Sequence, residues 1–184
     1  MNKKIFLIGF LFSAVILAGS SCQVPEAREM EELSEISSSQ AGQILYQTAM
    51  ELGWGTQQTR VSDNSFPADF FVNEFHTMRI DNKNDGTAVP LEKQYNLPGE
   101  LNPATFAKEY CEMRKSRGHI ANLVDVAGYP ACNITFVENG IGGIYLFVGQ
   151  YLVRYDSADT FINGMTNNLQ VANMIVDKLL SIAS

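Results

Sequence analysis

Histidine and cysteine, from which nucleophile and metal sites are most often built, are nearly missing from this sequence. It holds two histidines and three cysteines in 184 residues. If two of those thiols pair with each other, too few ligands remain for a closed zinc site. There is no G-x-S-x-G, no H-E-x-x-H, no P-loop and no dinucleotide-binding glycine fingerprint, so the local signatures of several large enzyme classes are missing. Positive charge is also scarce, with 13 basic against 20 acidic side chains and a formal net charge of −7. That balance argues against nucleic acid, whose phosphates call for lysine and arginine, and it disfavours docking on anionic lipid headgroups. No internal repeat is present, and no cofactor is expected.

What the sequence does have begins at its N-terminus. Lys3 and Lys4 precede "IFLIGFLFSAVIL", Ile5 to Leu17, which carries no charge, and the small residues Ala18 to Ser21 follow. A basic start, a short apolar run and a small-residue exit make a secretory signal. A spanning helix needs about 20 apolar residues, and this run is short for one. Cys22 follows at once. The segment resembles the signal of bacterial lipoproteins, whose lipobox ends in a cysteine that is acylated and becomes the new N-terminus. "LAG", Leu17 to Gly19, is a favoured lipobox triplet, although Ser20 and Ser21 separate it from Cys22. Cleavage by ordinary signal peptidase near Ala18-Gly19-Ser20, giving a secreted protein, is the competing mode.

Cysteine parity favours lipid. With Cys22 acylated, Cys111 and Cys132 remain as an even pair for one disulfide in an exported domain. The chain then divides into a signal peptide over 1–21, an acidic and serine-rich tether over 22–38 and a single globular domain over 39–184. Taking Lys3 and Lys4 from the 13 basic residues leaves 11 against 20 acidic, a net charge of −9 after processing. The expected location is the bacterial cell envelope, lipid-anchored and extracytoplasmic, with the membrane contacted through the N-terminal lipid.

Periodicity supplies the elements. Ala41, Ile44, Leu45, Thr48, Ala49 and Leu52 recur at helical spacing, so a helix is expected over about Ser39–Leu52, with Gly53 as its stop. Trp54 is expected to pack back on that helix. "DFFVNEFHTMRI", Asp69 to Ile80, reads as one central strand with apolar residues on both faces, and His76 as a half-buried structural histidine. Asn102 and Pro103 open a second helix that runs to about Arg117. Its basic end, Arg114, Lys115, Arg117 and then His119, is read as answering the helix dipole. Next come a strand at "HIANLVDVAG", a turn at Tyr129-Pro130 and a strand at "ACNITFVE". A type I′ turn at Asn139-Gly140, "IYLFV", a type II′ turn at Gly149-Gln150 and "YLVRY" complete an antiparallel meander of about four strands. A helix from about Asn167 closes the chain.

The fold class expected is α+β: an antiparallel meander sheet of about four to five strands covered by helices in a two-layer sandwich. Its closing order, hairpin strands then a long terminal helix, resembles small exported bacterial sensor-like and PsbP-like domains, and this carries no residue across. Cys132 shares a face with Ile134 and Phe136, and Cys111 lies on the helix side that would pack there. A bond between them would close a loop of about 20 residues and stabilise by about 3 kcal/mol.

Three chemistries have some footing in the residues. A thiol nucleophile at Cys111 or Cys132 would need His119 as base, and an exported disulfide competes with it. The loop "DNKNDGTAVPLE" partly resembles an EF-hand calcium loop, with Asp81, Asp85, Gly86 and Glu92 at positions one, five, six and twelve. Lys83 and Val89 occupy ligand positions, Pro90 breaks the usual exit, and a strand leads in, so a plain polar turn competes and no metal is assigned. Carboxylate pairs brought together only by folding are the third. The functional expectation is a membrane-tethered binding or envelope-assembly lipoprotein without catalytic activity. A small extracytoplasmic hydrolase using carboxylates is the alternative.

Overall fold

The structure is a computed structural model and describes residues 33–54, 58–60, 65–73, 76–85, 93, 95, 101–158 and 160–183. The segment read as a signal, Cys22, Gly86 and Glu92 lie outside the described residues. Helix α1 covers Ser38–Glu51. It starts slightly before the expected position because Ser37, not Ser39, caps it. The Ser37 hydroxyl accepts from the Gln40 N–H at 3.2 Å, and the Gln40 side chain accepts from the Ser37 N–H at 2.8 Å, closing a capping box. Gly53, at φ +71°, takes the left-handed position that ends the helix.

Three strands follow: β1 (Gln58–Arg60), β2 (Ala68–Asn73) and β3 (His76–Asn82). The single strand expected over Asp69–Ile80 is therefore a hairpin, with Phe70 set opposite Met78 and Asp69 opposite Arg79. An unbroken strand of that length would run about 40 Å, twice the usual extent. The apolar residues on both faces of the segment had hidden the reversal between Asn73 and His76. Helix α2 spans Pro103–Ser116, and the Asn102 side chain caps it by accepting from the Ala104 N–H at 3.0 Å.

The meander is present as β4 (Ile120–Val126), β5 (Tyr129–Thr135), β6 (Gly142–Val148) and β7 (Tyr151–Ser157). Two of its turns differ from expectation. The β4–β5 turn is Ala127-Gly128, with φ of 51° and 86°, and Tyr129 and Pro130 already belong to β5. A two-residue hairpin with both residues left-handed has the twist that strands prefer, and the Gly128 N–H is held by the Asp125 carboxylate at 3.0 Å. At the β5–β6 connection Phe136 pairs with Ile141, and the Gly140 N–H bonds back to the Phe136 carbonyl. Only Gly140 is left-handed there, so Asn139-Gly140 ends a longer loop and is not a type I′ pair. Gly149, at φ +58°, opens the β6–β7 turn as expected.

Helix α3 (Thr160–Ala183) closes the fold. The strands form one antiparallel sheet in the order β1-β2-β3-β7-β6-β5-β4. Six strands of six or seven residues and the three-residue β1 replace the four to five expected. The protein is thus α+β. Helices α1 and α3 pack together on one face, where Ile44, Leu45, Ile175 and Leu179 meet Met78, Ile144 and Val153. Helix α2 lies on the other face, over β4, β5 and β6. Its Phe106, Tyr110 and Cys111 meet Cys132, Tyr145 and Phe147 there. The helices expected to share one face of the sheet are thus split between two, α1 with α3 on one and α2 on the other, because β6 and β7 are apolar on both faces and each face needs cover.

The fold reaches back into the stretch read as tether. Ile36 is 3% exposed, its N–H bonds the Tyr151 hydroxyl at 2.7 Å, and the Ser34 N–H bonds the Ala183 carbonyl at 2.9 Å. Cys111 and Cys132 are disulfide-bonded, with their Cα atoms 5.4 Å apart. Replacing both by alanine is expected to cost about 2–4 kcal/mol, read from urea unfolding against the oxidised parent.

Candidate functional site

The α2 face of the sheet carries a register row of polar groups. Asp69 stands opposite Arg79, Arg79 opposite Arg154, Arg154 opposite Tyr145, and Tyr145 opposite Cys132. Two arginines facing each other across β3 and β7 would repel. Each is neutralised by its own carboxylate. Asp69 takes Arg79 in a two-pronged pair at 2.5 and 2.9 Å. Asp156, two residues along β7 and so on the same face, takes the Arg154 Nε on its Oδ2. The other Asp156 oxygen accepts from the buried Tyr145 hydroxyl at 2.5 Å. Burial and the negative Asp156 hold Tyr145 well above the ordinary tyrosine range. Burial works against the Arg154 charge, but the neighbouring Tyr145 and Asp156 outweigh it and its affinity for the proton rises.

One residue makes this arrangement possible. Gly143 stands opposite Asp156 on β6. A Cβ there would lie 2.7 Å from Asp156 Oδ1 and 2.7 Å from Tyr145 Cε2. The absence of a side chain at Gly143 thus leaves space for a carboxylate and a ring.

Above these groups lies a pocket of about 400 Å³. Tyr145, Arg154, Asp156 and Thr77 line it from the sheet, Tyr110 and Arg114 from α2, and Phe136 and Asn139 from the β5–β6 loop. Tyr95 contributes a further wall and is 4% exposed. The disulfide places α2, since Cys111 adjoins Tyr110 and Cys132 stands opposite Tyr145. The Tyr110 and Tyr145 rings come to 5.0 Å as a result. Arg114, one turn after Tyr110, donates to the Tyr110 hydroxyl at 2.7 Å and lies against the Phe136 ring at 5.1 Å.

The residues singled out in the sequence are dispersed. Asp81 is 1% exposed at the end of β3, and neither of its oxygens has a hydrogen-bond partner among the described residues. Burial pushes its carboxyl up to about 6, with Arg79 pulling the other way. Asp85 accepts the Phe66 N–H at 3.0 Å. Among the described residues no three His, Cys, Asp or Glu side chains gather as a metal cluster. His76 is half-buried and bonds the Tyr155 hydroxyl at 2.8 Å; Trp54 stacks on its ring at 4.7 Å, so both are packing residues. His119 lies 3.4 Å from Glu138 and against Phe136, while the Cys111 and Cys132 sulfurs are spent in their bond. In that bond neither sulfur is available to His119 as a nucleophile. Arg114, whose place in the last turn of α2 suits the helix dipole, also lines the pocket.

Gly143→Ala is expected to displace the Tyr145–Asp156 bond and destabilise by about 2–3 kcal/mol, seen as a drop of several degrees in a thermal melt. Asp81 titrates near 3.8 when unburied and near 6 when folded, so the folded state holds its proton more tightly between those values. Stability on its account is highest at low pH and falls as pH rises from about 4 to about 6. Asp81→Asn should remove that slope, gaining up to about 3 kcal/mol on the parent between pH 4 and pH 8 in paired urea titrations.

No protein-family model matches the chain, and no curated protein and no solved structure matches it significantly.

Proposed function

We propose that the chain is an exported, lipid-anchored binding module of the bacterial envelope, holding its ligand in the pocket beneath α2 without turning it over. The pocket carries this reading. The one carboxylate among its described lining residues, Asp156, has both oxygens engaged by Tyr145 and Arg154. It has little freedom to accept a proton from a substrate or a water. A hydrolase of the two-carboxylate kind would need a second carboxylate within about 5–10 Å. Asp81, the carboxylate with a displaced titration, stands opposite Leu152, four positions from Asp156 along β7. At the rise of a strand that is about 13 Å, too far for such a pair. The Cys111–Cys132 bond is consistent with an oxidising compartment, and Cys22 after its apolar run supplies the anchor. The partners in this reading are membrane lipid, through Cys22, and the pocket's ligand; nucleic acid is not among them.

Intact-mass measurement of the protein from its own host tests the anchor. The expected species begins at Cys22, carries acyl mass there and has Cys111 and Cys132 oxidised. An unmodified chain beginning near Ser20 would make the protein secreted and remove the lipid. A chain beginning at Met1 with three reduced thiols would overturn export altogether.

A further inference from the structure

We infer that the pocket beneath α2 takes a small monocarboxylate carried on a ring, with Arg114 as its principal anchor. The inference rests on the pocket being the ligand site. It follows from which polar groups there are satisfied. The carboxylate and amide acceptors are engaged: Asp156 receives Tyr145 on one oxygen and Arg154 on the other. The Asn139 carbonyl oxygen receives the Ile141 N–H at 3.0 Å, which leaves the Asn139 amide nitrogen to donate. Donors remain. Arg114 Nε is buried with no hydrogen-bond partner among the described residues. The Tyr110 hydroxyl already accepts from Arg114, so its own proton is available. The Tyr95 hydroxyl is likewise buried with no partner of good hydrogen-bonding geometry; its polar neighbour is the Arg154 guanidinium. Burial pushes the Tyr95 hydroxyl up to about 12, so at ordinary pH it enters as a donor. A site whose unmet groups are donors is completed by an acceptor, and a carboxylate accepts in the plane that a guanidinium fork presents.

Charge sets the valence. Arg114 and Arg154 against Asp156 leave one net positive charge on the described lining, inside a chain whose overall charge is −7. A monoanion cancels that charge, whereas a dianionic phosphate would reverse it. The walls set the body. Tyr95 stands edge-on to both Tyr110 and Tyr145, at 88° and 79°, and Phe136 closes the side behind Arg114. Ring walls with a polar floor suit a flat or ring-shaped body, and about 400 Å³ is at the small end of ligand sites.

Titration calorimetry on the mature protein in detergent, with benzoate, glucuronate, benzamide, glucose and inorganic phosphate as probes, tests this. At least one of the two carboxylates is expected to bind about tenfold or more tightly than its neutral counterpart and than phosphate. Arg114→Gln should weaken that binding about tenfold or more, while Arg117→Gln, exposed at the end of the same helix, leaves it unchanged. If Arg114→Gln melts early, Arg114→Lys, which keeps the charge and loses the fork, should still weaken it. A neutral probe or phosphate binding as tightly as the carboxylates, or Arg114 variants without effect, would overturn the inference and leave the pocket reading standing. Silence from all five probes would sink both.

Discussion

The two central strands are enclosed on both faces, and most of the structure follows from that. Every residue of β6 is buried, and every residue of β7 except Arg154. Strands so enclosed are normally apolar throughout, because a polar group there has no water to turn to. Here β7 carries an arginine and an aspartate on its α2 face. They persist because each closes a bond to the other, and because Tyr145 on β6 supplies the remaining donor. The same logic one strand over ties Arg79 to Asp69.

The pocket lies where this internal polar chain meets the edge of the helical cover. Helix α2 is fixed to β5 by the disulfide one residue after Tyr110, so the roof and the floor of the cavity are joined covalently close to their contact. Gly143 sets the depth of the floor, since any side chain there would displace the carboxylate and the ring above it. A cavity built this way has its walls fixed in advance, so the ligand proposed for it would meet little cost of ordering.

Legibility in the sequence tracks the range of the interactions. Helix starts at Ser37 and Asn102, the β6–β7 turn at Gly149 and the meander are written in neighbouring residues, and periodicity located them to within a few positions. The disulfide was legible too, because parity and helical phase bring Cys111 and Cys132 to one face. The Asp69–Ile80 reversal was not, since alternation looks the same in one long strand and in two short ones. The pocket residues were hidden for a related reason. Arg154 meets Asp156 and Tyr145 through strand register, which no local pattern fixes. A trace was present in "RID" and "YLVRYD", where arginine and aspartate stand two apart, on one side of a strand, among residues that are otherwise buried. Arg114 is different again: the dipole at a helix end explains a basic residue so readily that the second role was masked.

Leu33, the first described residue, lies at one pole of the sheet and the cavity at the other. Leu33 lies against Gly149 in the β6–β7 turn, where an added Cβ would come within 3.0 Å of it, and the Gln150 amide holds its carbonyl. Gly143 and Asp156 stand at the opposite ends of those same strands, about 20 Å away. Leu33 and the cavity are thus separated by the full length of β6 and β7, so a change at either end of these two strands reaches the other only through the buried ladder between them.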